Sequence, residues 1–316
     1  GDAEERAERM GREVDEHDFD AEGSEGQPSV EVESVESNFD RQTYEEAVER
    51  VQERIREGET FQANISQRLG FDTDAEPVEV YSALRRTNPA PYMGLFELDS
   101  GSVVSTSPEL LLRKTGDELR TRPIAGTRPR GDDESEDEEL RDDLKASEKE
   151  RAEHSILVDL ERNDLGKVSE YGTVTVERFM ETVRYPEVQH LESVVTGNAR
   201  DGTGAFDALA AMFPGGTVTG APKPRTLSII EEVEPTERGP YTGSLGHVSL
   251  TGDATFNILI RTVVTDGSRS YLQVGGGVVH DSDPSEEYAE TLDKAKGVLN
   301  ALESRDEDQE VGIGTW

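Results

Sequence analysis

The hydrophobic pattern becomes legible near residue 43. Thr43-x-x-Glu46 reads as a capping box, and Ala47, Val51 and Ile55 recur at helical spacing until Gly58, predicting a helix of about four turns. Residues 61–71 alternate like a strand, and 101–113 hold two more short strand candidates. The charged stretch 131–143 is expected as an exposed loop running into a helix. Ser147-x-x-Glu150 is a second capping box, opening a helix through His154 towards Leu160. Strands are predicted at 172–177, 188–196, 245–250, 256–264 and 271–279, and helices at 205–213 and 223–233. A last helix has Asp283 as N-cap, Pro284 at its first position and an apolar stripe of Tyr288, Leu292, Ala295 and Leu299. Strands and helices come in groups, which predicts an α+β fold with large, mostly antiparallel sheets. Residues 1–40 read as an acidic, disordered linker or a remnant of an N-terminal region, 41–303 as one large domain, and 304–316 as an acidic tail.

Charge narrows the function classes. Against 33 Lys+Arg the chain carries 69 Asp+Glu, a formal net charge of −36, which argues against a nucleic-acid partner. No apolar run approaches the roughly 20 residues of a membrane span, and the start has no signal-peptide pattern, so a cytoplasmic protein is expected. With no Cys, disulfides, thiolate ligands and thiol nucleophiles are excluded for this chain. The acid is spread along the chain as well as concentrated at its start. That distribution predicts a surface adapted to concentrated salt, as in a halophile. The chain starts at Gly1, not Met, and is expected to be a piece of a longer protein.

Glu150 and Glu153 stand three apart on one predicted helix, Glu287 and Glu290 three apart on another, so each pair shares a face. Facing each other, they would make an all-oxygen Mg²⁺ site; in so acidic a chain, such pairs also arise by chance. Lys294 shares a stripe with Glu287 and Glu290, as a helix salt bridge or a holder of a substrate carboxylate. Arg261 falls inside a predicted strand, where a structural ion pair and an anion-binding role are equally open. Gly275, Gly276 and Gly277 interrupt an apolar strand, which suits a bulge or a close ligand approach. The Gly/Thr loop 213–223 ends at a helix N-terminus and is either an anion cradle or an ordinary tight connection.

Several ordered motifs resemble the chorismate-binding domain shared by anthranilate synthase large subunits, aminodeoxychorismate synthase component I, isochorismate synthases and salicylate synthases. They are Asn88-Pro-Ala-Pro-Tyr-Met93, Ser107-Pro-Glu-Leu, Arg122-Pro-Ile-Ala-Gly-Thr-Arg128, Lys149 to His154 with Leu157 to Gly166, His190, the 213–223 loop, Ile260-Arg-Thr262, and Glu287 through Ala295. The resemblance implies two large antiparallel sheets packed as a sandwich with helices outside, the N-terminal part missing here. It also implies Mg²⁺ on Glu150, Glu153, Glu287 and Glu290, bridging to a chorismate carboxylate. Arg261, Lys294, Tyr241, Thr219 and the backbone of Gly275, Gly276 and Gly277 match positions that hold the substrate. Glu109 matches the general acid for the leaving 4-hydroxyl, and His190 an active-site histidine; Thr127 lies in the catalytic set and Ala125 in the substrate set of the same family.

Family members that add water carry a Lys at the position of Gln62. A Gln side chain cannot deprotonate water, so the resemblance implies ammonia as nucleophile, delivered by a separate glutamine amidotransferase subunit because this chain has no Cys. Residues 62–68, the 213–223 loop, residues 256–262 and the triple glycine resemble aminodeoxychorismate synthase, which makes 4-amino-4-deoxychorismate for para-aminobenzoate and folate. Ala125 stands where many such enzymes carry a Lys, and there the chain resembles anthranilate synthase, which makes anthranilate and pyruvate. 4-Amination is the first expectation, 2-amination the alternative, and a non-catalytic chorismate-binding subunit the third.

Overall fold

The computed structural model describes residues 30–131, 133–185, 188–266, 269–303 and 312–315. Most of the expected acidic linker and tail, 1–29, 304–311 and 316, lies outside the described residues. Two sheets and seven α-helices are built from the described chain.

The first sheet has eight strands. Its main path runs β15 (Gly314–Thr315), β1 (Glu33–Ser37), β2 (Gln62–Asp72), β14 (Arg269–Val278), β13 (Thr262–Asp266), β4 (Gly101–Ser107) and β3 (Tyr92–Leu98), with β10 (Gly220–Ala221) also on β2. The second has seven: β11 (Gly246–Val248), β12 (Ala254–Asn257), β5 (Leu110–Thr115), β6 (Glu118–Arg122), β9 (Val188–Asn198) and β7 (Ile124–Pro129), with β8 (Thr175–Arg184) also on β9. Every named pair is antiparallel except β1 with β15, so the expected α+β class holds.

Alternation along β2 explains how the first sheet serves two masters. Ala63, Ile65, Leu69 and Phe71 are apolar and buried against helices, while Gln62, Asn64 and Ser66 are polar and buried on the other face. Against the apolar face pack α1 (Arg41–Arg56), α2 (Pro77–Thr87), α6 (Lys223–Val233) and α7 (Pro284–Glu303). On the second sheet, α4 (Glu148–Gly166) and α5 (Ala205–Met212) close a core around Leu112, Leu119, Val195 and Phe256.

Several local expectations need correction. The first helix starts a turn earlier, because Asp40 and not Thr43 is its N-cap, accepting from Thr43 N at 2.8 Å. The end of the expected linker is folded: Val30, Val35 and Phe39 are buried, and β1 completes the sheet beside β2. Most of the expected loop 131–143 is helical, forming α3 (Glu134–Ala146); Asp133 caps it, its acidic first turn suits the helix dipole, and Arg130 and Arg184 hold the buried Asp137. The expected strand 256–264 is broken. Arg261 has φ +49° and sits between β12 of one sheet and β13 of the other.

The two N-caps that matter for the carboxylate helices are as the sequence predicts. Ser147 Oγ accepts from Glu150 N at the head of α4, and Asp283 accepts from Ser285 N and Glu286 N at the head of α7.

Candidate active site

The chain crosses between the two sheets in two places that lie side by side. The β4 to β5 crossing carries Glu109, and the β12 to β13 crossing carries Arg261. Ile258 N donates to the Glu109 carbonyl at 3.1 Å, and Thr106 N donates to the Arg261 carbonyl at 3.1 Å, locking the crossings together. Left-handed backbone at a non-glycine residue is strained, and here it turns an arginine into the gap between the sheets.

Burial sets the chemistry of this pair. Glu109 is 5% exposed, and loss of water pushes its carboxyl up to about 8; nearby Glu161 adds to the rise, while the Thr217 hydroxyl, the Ile124 amide and Arg261 oppose it. It is therefore mainly protonated at neutral pH. Its Oε1 has no hydrogen-bond partner among the described residues. Burial also lowers the Arg261 pKa, yet not into a range where a guanidinium gives up its proton. No carboxylate of the described residues forms a salt bridge with Arg261, although the chain holds an acidic excess. Of the two readings of Arg261, the anion-binding one fits a desolvated cation left without an ion pair.

His190, on β9, stands next to this pair. Its Nδ1 lies 3.1 Å from the Gly126 carbonyl and 3.0 Å from Thr127 Oγ1. A carbonyl only accepts, so Nδ1 carries the proton and Nε2 the lone pair. Burial depresses the ring to about 4, with the Gly126 carbonyl opposing and Arg261 reinforcing, so His190 is neutral at pH 7. Ala125 is half-buried on β7 opposite Leu191, one residue from Gly126.

The triple glycine is a matter of room. On β14, a Cβ at Gly275 would lie 2.6 Å from Asn64 Oδ1 and 2.7 Å from the Tyr241 hydroxyl, and one at Gly277 would lie 2.8 Å from Gln62 Nε2. On the opposite face, a Cβ at Gly276 would lie 2.9 Å from Glu287 Oε2. Gln62 Oε1 is buried without a hydrogen-bond partner. Lys294 Nζ donates to the Gly275 carbonyl at 3.0 Å and pairs with Glu290 at 2.7 Å, tying α7 to β14.

The four candidate metal carboxylates approach from both sheets. Burial pushes Glu153 up to about 7; Lys149 opposes, and Glu150, Glu287 and Glu290 all add to the rise, so the two helices bring these charges together. Glu287 is buried, and its pKa is raised by burial while Ser282, donating to it at 2.7 Å, opposes. Gly126 does for Glu150 what Gly276 does for Glu287: a Cβ there would lie 2.8 Å from Glu150 Oε2. The donor set, hard oxygens gathered from two helices with Glu150 and Glu287 given room by Gly126 and Gly276, suits a hard divalent cation. Among the described residues no three acidic or histidine groups close into a chelate, and Arg128 and Lys294 are paired with Glu150 and Glu290.

Close approaches and electrostatic influence link these groups in turn: Glu287 to Gly276 and Gly275, on to Tyr241, Glu109, Arg261, His190, Gly126, Glu150 and Glu153, and back to Glu287. A model of the chorismate binding enzyme family matches residues 2–300 of this chain. The chain belongs to the chorismate binding enzyme family.

Similarity to family members is spread over the whole body. The chain is 55% identical over 287 residues to anthranilate synthase component 1 1 of Haloarcula marismortui, covering 89% of this chain and 59% of that protein. To aminodeoxychorismate synthase component 1 of Bacillus subtilis it is 48% identical, covering 86% and 58%. The crystal structure of anthranilate synthase component I from Streptococcus pneumoniae superposes with a TM-score of 0.82 at 36% identity, covering 94% of this chain and 65% of that one. The chain thus spans about three-fifths of these relatives.

Among the expected substrate residues of this family member, Thr219 differs from the rest. Its hydroxyl donates to the Gly215 carbonyl at 2.8 Å and its carbonyl accepts from Asn64 N, so it braces the 213–223 loop against β2. Tyr241 is buried under the Arg238 guanidinium, 5.6 Å from its ring centre, and burial keeps its hydroxyl protonated. Sequence reasoning missed Asn64 and Arg238. Arg238 pairs with buried Glu234 at 2.6 Å and donates to the Val218 and Asn64 carbonyls, joining the loop, β2 and Tyr241. The polar face of β2 was a signal for Asn64; nothing local marked Arg238.

Proposed function

We propose that this chain is the chorismate-aminating component of a two-protein enzyme, and that it acts as an aminodeoxychorismate synthase component I. The observation that carries the reading is the adjacent pair of a buried, protonated Glu109 and an unpaired Arg261 in a chain of the chorismate binding enzyme family. Chorismate is a dianion with a poor leaving group at its 4-position. Arg261, with Lys294 and the Gly275 to Gly277 backbone, would hold its carboxylates, while Glu109 gives its proton to the departing hydroxyl. The ammonia lone pair forms the new C–N bond, the C–O bond breaks, water leaves, and the ammonium of the product returns a proton to Glu109. Gln62 cannot act as a base for water, which supports ammonia as nucleophile. Glu150, Glu153, Glu287 and Glu290 would hold Mg²⁺, which when bound supplies positive charge to a substrate carboxylate. With no Cys in this chain, the ammonia is proposed to come from a glutamine amidotransferase partner.

Anthranilate formation is the second reading. Ala125 favours it, since no lysine is available there for a covalent ring adduct, and the relative from Haloarcula marismortui carries that name. Product identification from chorismate, Mg²⁺ and ammonium salt at high KCl decides. A product that an added lyase converts to para-aminobenzoate is expected; fluorescent anthranilate with released pyruvate would overturn the 4-amination reading. No turnover would favour a chorismate-binding subunit, and activity surviving EDTA would remove Mg²⁺.

A further inference from the structure

Behind Glu109 lies a buried ionisable cluster outside the substrate set. Glu161, Asp164 and Lys167 follow one another at helical spacing on α4. Glu161 is buried, and its Oε2 accepts from Thr121 Oγ1 at 3.1 Å. The same hydroxyl lies 3.4 Å from the carbonyl of Leu110, the residue after Glu109. The turn Gly216–Val218 packs against the same carboxyl, since a Cβ at Gly216 would lie 3.6 Å from Glu161 Oε1. Lys223, at the head of α6, faces Glu161 from the third side while its Nζ pairs with Asp164 and donates to the Met212 carbonyl at 2.7 Å. Lys167 pairs with Asp164 at 2.7 Å on the way to the surface.

We propose that Glu161 is a positioning residue for Glu109: a second buried carboxyl, anchored by Thr121 beside the Lys223–Asp164 pair, whose charge helps to keep the proton on Glu109 until the leaving oxygen takes it. This rests on the reading of Glu109 as the acid for the 4-hydroxyl of chorismate. Two carboxyls in one water-poor region resist ionising together. The charged and titratable groups around them are few. Glu109 faces Glu161, Arg261 and Tyr241, and Glu161 faces Lys223 and Asp164. Burial raises both carboxyls, and Lys223 pulls Glu161 back towards its charged form. Burial is the main cause that keeps the proton on Glu109, and Glu161 adds to it against the opposing pull of Arg261.

The test is the pH dependence of kcat with chorismate and ammonium, in wild type, Glu161→Gln and Glu161→Asp. Gln still accepts from Thr121, and Lys223 keeps Asp164, so the fold is expected to survive; Glu161→Met removes the same charge should Gln not fold. Loss of the charge should move the alkaline limb down by about one pH unit, about tenfold in kcat on that limb, with KM for chorismate within about twofold. Glu161→Asp should keep the wild-type limb, which a merely structural role would not require. A wild type that turns over and shares its limb with Glu161→Gln would overturn this inference alone. A wild type without turnover would overturn the chorismate reading, and the inference with it.

Discussion

At the scale of single residues, the site sets function against stability. Glu109 has a folded pKa of about 8 against an ordinary 4.5. The folded state then holds a proton the unfolded state has lost, so stability contributed by this group falls as pH rises from the ordinary value through about 8. Glu109→Gln is therefore expected to cut kcat by about 10²-fold or more while raising stability at pH 8 by on the order of a few kcal/mol, measured by denaturant melts at pH 5 and pH 8. In the wild type, kcat should fall as pH rises through about 8, where the acid form is lost. Arg261→Met should weaken chorismate binding without loss of stability, since Arg261 has no ion pair to break; a melting point several degrees lower would show that it is a structural cation. Glu109, Arg261 and His190 could each be picked out of the sequence. What it could not show is that Arg261 has left-handed backbone and no partner, because a run such as Phe256 to Val264 reads as one strand until two sheets compete for its halves.

At the scale of elements, β14 and β2 are the working pair. Their register sets Gly275 opposite Ser66 and Gly277 opposite Asn64, so the glycines face the polar side chains that need the room. Gly275→Ala would press on the Ile65 carbonyl as well as on Asn64 and Tyr241, and is expected to cost about 1–3 kcal/mol in a chemical melt and to raise KM for chorismate. Gly276→Ala meets only the end of the Glu287 side chain, so stability should be nearly unchanged while the Mg²⁺ concentration needed for activity rises. An unchanged Mg²⁺ requirement would argue against Glu287 as a ligand. The long helices and strands were legible because period and caps agree, as at Ser147 and Asp283. Elements such as β7, Ile-Ala-Gly-Thr-Arg-Pro, were not, since glycine and proline hide its pairing and only β9 beside it makes it a strand.

At the scale of the molecule, a charge of −36 must be tolerated by a fold whose candidate site is proposed to bind an anion. Surface repulsion is screened by salt, so the melting temperature is expected to rise between 0.1 and 2 M KCl, by thermal melts followed by circular dichroism. A flat or falling response would refute the salt-adapted surface. Among the described residues no helix is long and apolar enough to cross a membrane. The sequence by itself determined the class of fold and the acidic excess and marked the candidate site residues, because periodicity, charge and short motifs are local properties. Only the tertiary structure decided which of many carboxylates lose their water and that Arg261, desolvated, has no ion pair among the described residues. Those depend on two sheet crossings brought side by side from residues about 150 apart, and desolvation is set by such packing, not by neighbours in the chain.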